Sequence, residues 1–134
     1  MKVLDTDVCV EILRGNERVI ESRRQTLSAV STTWITACEL AYGAAKSRSP
    51  EKNQLRVFEF LSTLRIIGID MPAAQRFGQI KSTLERAGNV LADADLMVAA
   101  ITLANGASLI TGNLRHYHRI DGLHLEDWIR GSVR

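Results

Sequence analysis

The 134-residue sequence predicts an α/β protein built on a parallel sheet. Three observations carry this. Short apolar runs suited to buried strands alternate with longer segments of helical periodicity along the whole chain. No hairpin signal joins neighbouring runs. The segment Ala92–Ala104 is apolar nearly all round, as a helix enclosed by other elements must be.

The amino terminus sets the frame. Val3-Leu4-Asp5-Thr6-Asp7 reads as a short buried strand ending in acid, and Val8 to Leu13 as the helix it feeds. Ligands of an open parallel sheet bind beyond the carboxyl ends of its strands, which is where Asp5 falls. Asn16 to Gln25 is a second, more polar helix with Val19 and Ile20 facing inward. Ala29-Val30-Ser31-Thr32 is the next strand, and Thr33 is placed to cap a helix running to about Ala45. The expected apolar stripe of that helix is Trp34, Ile35, Cys38, Ala41, Tyr42 and Ala45, with Thr36, Glu39 and Gly43 on the adjoining face. After the break at Ser47 to Pro50, Pro50 suits the first turn of a helix with Leu55, Phe58, Leu61 and Leu64 toward the core. Arg65 to Ile69 is a strand. Pro72 opens a helix with Ala73, Phe77, Ile80 and Leu84 at helical spacing, closed by Gly88. The apolar helix Ala92–Ala104 follows and ends at Asn105-Gly106. Ser108 to Thr111 is a strand, Gly112 to Arg119 a polar loop, and Leu123-His124-Leu125 a last strand before Trp128.

A chain of this length buries one core and is expected to form one domain over residues 1–134. With 46% hydrophobic and 24% charged residues it has the composition of a soluble globular protein. A net charge of +2 means that any nucleic-acid-binding surface must be local rather than global. Asp5 and Asp7 interrupt the amino terminus before a secretory apolar region could form, and no apolar run reaches the ~20 residues of a membrane helix. Cys9 and Cys38 lack metal-ligand or CxxC spacing and are expected as reduced core residues. The expected location is cytoplasmic.

The chemistry lies in the acids. Asp95 occupies the first turn of the apolar helix, where a carboxylate is costly without a partner, and no Lys or Arg lies within a helical turn of it. Asp93 is the better candidate for that helix's cap. Asp5, Glu39, Asp95 and Asn113 each lie in or beside an apolar element and can converge at the carboxyl edge of one sheet. Clustered carboxylates stay charged only around a cation. Oxygen donors without His or Cys at ligand spacing select Mg²⁺ or Mn²⁺. Such a site suits phosphodiester or phosphate-ester hydrolysis, because a divalent ion lowers the pKa of water and offsets charge on phosphate.

Four motifs, Leu4-Asp5-Thr6-Asp7, Ile35 to Ala44, Asp93 to Ala100 and Thr111 to Tyr117, resemble in order and spacing the PIN-domain family, and most closely the VapC toxins of bacterial toxin–antitoxin pairs. The ending from Gly122-Leu123 to Trp128 is also similar. The resemblance implies a three-layer α/β/α sandwich, flavodoxin-like, and a Mg²⁺-dependent endoribonuclease acting on RNA. It also implies a homodimer held inactive by a VapB-type antitoxin. Asp5, Glu39 and Asp95 match the family's acidic metal positions. Asn113 stands where many relatives carry a fourth acid, so it supplies no charge but retains the ability to orient water. Asp7 stands where Asn is more usual and adds a carboxylate near the pocket mouth, with capping of the first helix as its other role. Thr111 matches a threonine beside the site, placed to hydrogen-bond a carboxylate. Lys46, Arg48 and Arg115 are candidates for RNA phosphate contacts. His116 and His118 read as loop residues.

Two other readings start from the same residues. Val3 to Val8 also resembles the opening motif of haloacid-dehalogenase-type phosphatases, with Asp5 as nucleophile and Asp7 as acid/base. That family needs a later Ser/Thr after a strand, then a Lys, then an acidic pair. Here Asp93 and Asp95 precede Thr111, and no suitable Lys follows. The second alternative is a PIN-like scaffold, catalytically weak because of Asn113, that only binds its partner.

Overall fold

The computed structural model describes residues 1–133, with the backbone alone at 132 and 133. Its elements, in chain order, are β1 (Lys2–Leu4), α1 (Thr6–Leu13), α2 (Glu17–Gln25), β2 (Val30–Thr33), α3 (Trp34–Ala45), α4 (Pro50–Leu61), β3 (Arg65–Ile67), α5 (Met71–Arg86), α6 (Asp93–Ala104), β4 (Ser108–Ile110), α7 (Leu114–Tyr117), β5 (His124–Asp127) and β6 (Ser132–Val133). The strands form one sheet in the order β3-β2-β1-β4-β5-β6. The first five are parallel, and β6 pairs antiparallel to β5, with Glu126 opposite Val133. This closing pair carries no hairpin signal in the sequence and was not expected.

Alternation along the strands explains the layers. Val3, Leu109 and Leu125 face one core with Ala73, Leu84, Leu96 and Ala99 from α5 and α6. Leu4 and Ile110 face the other, with Val8, Val19, Leu40, Val57 and Phe60 from α1 to α4. Side chains on a strand alternate between faces, so two consecutive apolar residues serve two separate helical layers. The result is the expected three-layer α/β/α sandwich. The chain runs outward from β1 through β2 to β3 and returns to β4 on the other side of β1. The switch point of the sheet therefore lies between β1 and β4, where open α/β sheets bind ligands.

Two helix faces differ from expectation. On α3 the inward residues are Thr36, Ala37, Leu40 and Ala44, while Trp34 and Tyr42 are 56% and 65% exposed. Cys38, Ala41 and Ala45 are exposed with them. The small inward residues let the helix lie close to its neighbours, and the large apolar side chains are left outside. On α4, Val57 and Phe60 are buried and Leu61 and Leu64 partly so, whereas Leu55 and Phe58 face solvent. Both cysteines are free, Cys9 buried as expected and Cys38 exposed against expectation. The expected polar loop from Gly112 contains α7, because Leu114, Tyr117 and Ile120 at three-residue spacing pack into the α5–α6 core. Among the described residues no helix is long and apolar enough to cross a membrane.

Candidate active site

β1 delivers Asp5 to the switch point. Its backbone is extended at the N-cap of α1, and its Oδ1 accepts the Thr6 N–H at 2.9 Å. Asp5, rather than Asp7, therefore caps the first helix. The parallel neighbour β4 ends at the same level, and the Thr111 hydroxyl donates to Asp5 Oδ2 at 2.8 Å. Thr111 Oγ1 in turn accepts the Asn113 N–H at 3.0 Å. Asn113 sits at the exposed start of α7, where its side chain makes no cap hydrogen bond.

Thr6 carries the connection to α3. Its hydroxyl donates to Glu39 Oε1 at 2.6 Å and lies 3.0 Å from the Thr36 hydroxyl. Glu39 is exposed on the flank of α3, beside the core rather than within it. Asp95, in the first turn of α6, accepts a hydrogen bond from the Tyr117 hydroxyl at 3.3 Å. Asp93 does not cap α6. It is exposed and paired with Lys81 Nζ on α5 at 2.9 Å, which leaves Ala92 as an N-cap without a side-chain acceptor.

Asp7 is held by backbone on both oxygens. Oδ1 accepts from Val8 N and Oδ2 from Gly112 N, each at 2.8 Å. A Cβ on Gly112 would stand 2.9 Å from Asp7 Oδ2 and 3.0 Å from Ile129 Cδ1, so glycine is what admits this carboxylate. Arg130 Nη1 closes the loop from behind, donating to Gly112 O and Asp127 Oδ2, both at 2.9 Å. Both Asp7 oxygens are thus engaged by backbone N–H groups of the segments that border the site.

The electrostatics are those of a cluster short of positive charge. Burial, with the nearby Asp7 and Asp95 carboxylates, pushes Asp5 up to about 6, against the pull of its hydrogen bonds from Thr111 and Thr6. Burial also raises Asp7, opposed by its Gly112 and Val8 hydrogen bonds. The Tyr117 phenol is driven far up by burial and by Asp5 and Asp95. Among the described residues no Lys, Arg or His forms an ion pair with Asp5, Glu39 or Asp95. The donor chemistry therefore fits a hard divalent cation, with all-oxygen groups and a buried negative charge that needs offsetting.

Among the described residues no three His, Cys, Asp or Glu side chains stand in a ready-made cage for an ion. Bare carboxylates repel, and Glu39 takes the Thr6 hydroxyl instead. Asp5 and Asp95 are linked through the Tyr117 hydroxyl region, and Glu39 joins them by way of Thr6. Arg115 is exposed on α7, and Lys46 lies 4.8 Å over the Tyr42 ring, away from the acids. Sequence reasoning missed Thr6 and Tyr117 as members of the site. The spacing of Leu114, Tyr117 and Ile120 signals that Tyr117 is buried but not that it meets Asp95.

A groove of about 580 Å³ starts at Thr6 and Glu39 and runs between α1, α3 and α4. Val10, Leu13, Leu40 and Val57 line it, with Arg14 and Arg56 toward its far end.

Comparison with known proteins finds relatives that span nearly the whole chain. The PIN domain family matches residues 2–123. The tRNA(fMet)-specific endonuclease VapC of Salmonella typhimurium is 36% identical over 94% of this chain and 96% of its own. Ribonuclease VapC2 of Haemophilus influenzae is 34% identical over 95% and 97%. Among solved structures, the DNA-bound VapBC of Salmonella typhimurium superposes with a TM-score of 0.89 at 36% identity, covering 95% of this chain and 97% of the other. VapBC2 of Rickettsia felis, bound to a promoter DNA fragment, gives 0.89 at 29% identity, covering 95% and 98%.

Proposed function

The chain belongs to the PIN-domain family, in its VapC branch, and from that premise we propose that it is a divalent-metal-dependent endoribonuclease and the toxin of a VapB–VapC pair. The observation that carries the reading is the uncompensated acidic cluster of Asp5 and Asp95 at the switch point of the sheet. Asp5 and Asp95 would hold Mg²⁺ or Mn²⁺, with Glu39 and Asn113 at the margin of the site. Bound there, such an ion would act as a Lewis acid, lowering the pKa of water and offsetting charge on the scissile phosphate. Thr111 and the Thr6 N–H fix both oxygens of Asp5. Glu39, fixed by Thr6, faces solvent where it can accept a proton from incoming water. Arg115 is placed on the exposed side of α7 to meet the RNA backbone.

The partners follow from the same relatives. The groove floored by Val10, Leu13, Leu40 and Val57 suits an apolar antitoxin segment, with a basic side chain reaching Glu39. The exposed face of α3, with Trp34 and Tyr42, supports a homodimer. Co-expression with the product of the adjacent gene tests the pairing: a stable complex is expected, and a toxin that purifies alone as a monomer would contradict both partners. Activity is tested on small RNAs that include tRNA(fMet), the substrate in the name of two relatives. Cleavage in Mg²⁺ but not in chelator is the expected outcome. A scaffold that only binds would leave the pool intact in both.

A further inference from the structure

We infer that Tyr117 is a positioning residue of the site: its hydroxyl, carried on a fully buried ring, donates to Asp95 Oδ1 at 3.3 Å and holds that carboxylate beside Asp5. The inference rests on the reading of Asp5 and Asp95 as the metal-holding pair and adds the group that keeps the pair in register.

The ring cannot swing away. Tyr117 is 0% exposed and belongs to the same core as Leu96, Ala99, Leu109 and Leu125, with Leu114 and Ile120 of its own segment packed alongside. A buried phenol needs a partner for its one polar atom, and this one finds it in the site. At neutral pH the phenol is protonated and can only serve a carboxylate as donor. Asp95 has little else to hold it. Its helix begins at Ala92 without a side-chain cap, and the neighbouring acid, Asp93, is drawn outward to Lys81. Phenylalanine would fill the same space in the core and leave Asp95 without this donor. The charge on Asp5 would then favour Asp95 rotamers that point away, toward solvent. The hydroxyl thus sets the geometry of a donor pair that belongs to two elements far apart in sequence.

The test is Mn²⁺ binding by titration calorimetry to the wild type, Tyr117→Phe, Asp95→Asn and the double variant, each with a chelator-phase melting curve. Tyr117→Phe is expected to melt within a few degrees of wild type but to bind Mn²⁺ roughly 10-fold or more weakly, the usual scale for losing a hydrogen bond to a metal ligand. In Asp95→Asn the same tyrosine change is expected to have little further effect, because the side chain it positions no longer brings a charge to the ion. RNA cleavage by Tyr117→Phe should recover at raised Mn²⁺ with an unchanged KM for RNA. Equal Mn²⁺ affinity in wild type and Tyr117→Phe, with Asp95→Asn clearly weaker, would overturn the inference and leave the metal site standing. Equal affinity in wild type and Asp95→Asn would overturn the metal site and the inference together.

Discussion

Thr111 and Asp5 are 106 positions apart in sequence, yet the threonine hydroxyl donates to Asp5 Oδ2 at 2.8 Å inside the protein. The contact exists because β1 and β4 are parallel neighbours, with Leu4 opposite Ile110, so the residues after each strand arrive at one level. It ties the acid that caps α1 to the loop that leads into α7.

Replacing Thr111 with Val keeps its shape and removes both the donor to Asp5 and the acceptor for Asn113 N–H. Losing the donor to the buried Asp5, together with the acceptor for Asn113 N–H, should cost about 1–3 kcal/mol, read as a lower melting temperature. The Thr111 hydrogen bond pulls the Asp5 carboxyl down, so its titration should move further up in the variant, as followed by carboxyl NMR. An unchanged titration would mean that the threonine does not hold Asp5 in solution.

Asp5 also predicts a pH dependence of stability. Its folded-state value of about 6 lies above the ordinary 3.8, so the folded protein binds the proton more tightly than the unfolded chain. Metal-free stability should therefore fall as pH rises from about 4 to about 6 and level off above, by on the order of 3 kcal/mol for a shift of this size. Asp7, raised for the same reason, adds in the same direction. Asp5→Asn should flatten this part of the profile and melt higher than wild type at pH 7 in chelator. Parallel profiles for the two proteins would show that the cluster is not strained by its charge.

Gly112→Ala places a methyl 2.9 Å from Asp7 Oδ2 and 3.0 Å from Ile129 Cδ1. The loop must shift or Asp7 must give up its hydrogen bond, and a loss of about 1–3 kcal/mol in thermal or denaturant unfolding is expected. A neutral outcome would mean that the loop between β4 and α7 adjusts freely.

Much of this was legible in the residues. Asp5 at the end of an apolar run, Thr33 before α3 and the all-round apolarity of α6 each follow local rules, and the structure bears them out. What failed was the choice of face. α3 is apolar on more than one side, and hydropathy favours Trp34 and Tyr42 as core, whereas packing places Ala37, Leu40 and Ala44 there because small residues allow close approach. The same reasoning misplaces Leu55 and Phe58 against Val57 and Phe60 on α4. Thr6 and Tyr117 were invisible as site residues because their partners, Glu39 and Asp95, are set by tertiary neighbours and not by sequence spacing. The antiparallel β6 rests on backbone pairing to β5 that no side-chain pattern announces.

On the proposed reading, the Asp5–Asp95 pair makes this protein a metal-dependent ribonuclease. The most direct test of that reading is cleavage of a small-RNA pool by the purified protein in Mg²⁺ and in chelator, beside Asp95→Asn. Discrete products that require Mg²⁺ and fall by about 100-fold or more in the variant, with its melting curve preserved, are the predicted result. Products of equal yield from wild type and Asp95→Asn, or undiminished in chelator, would contradict it.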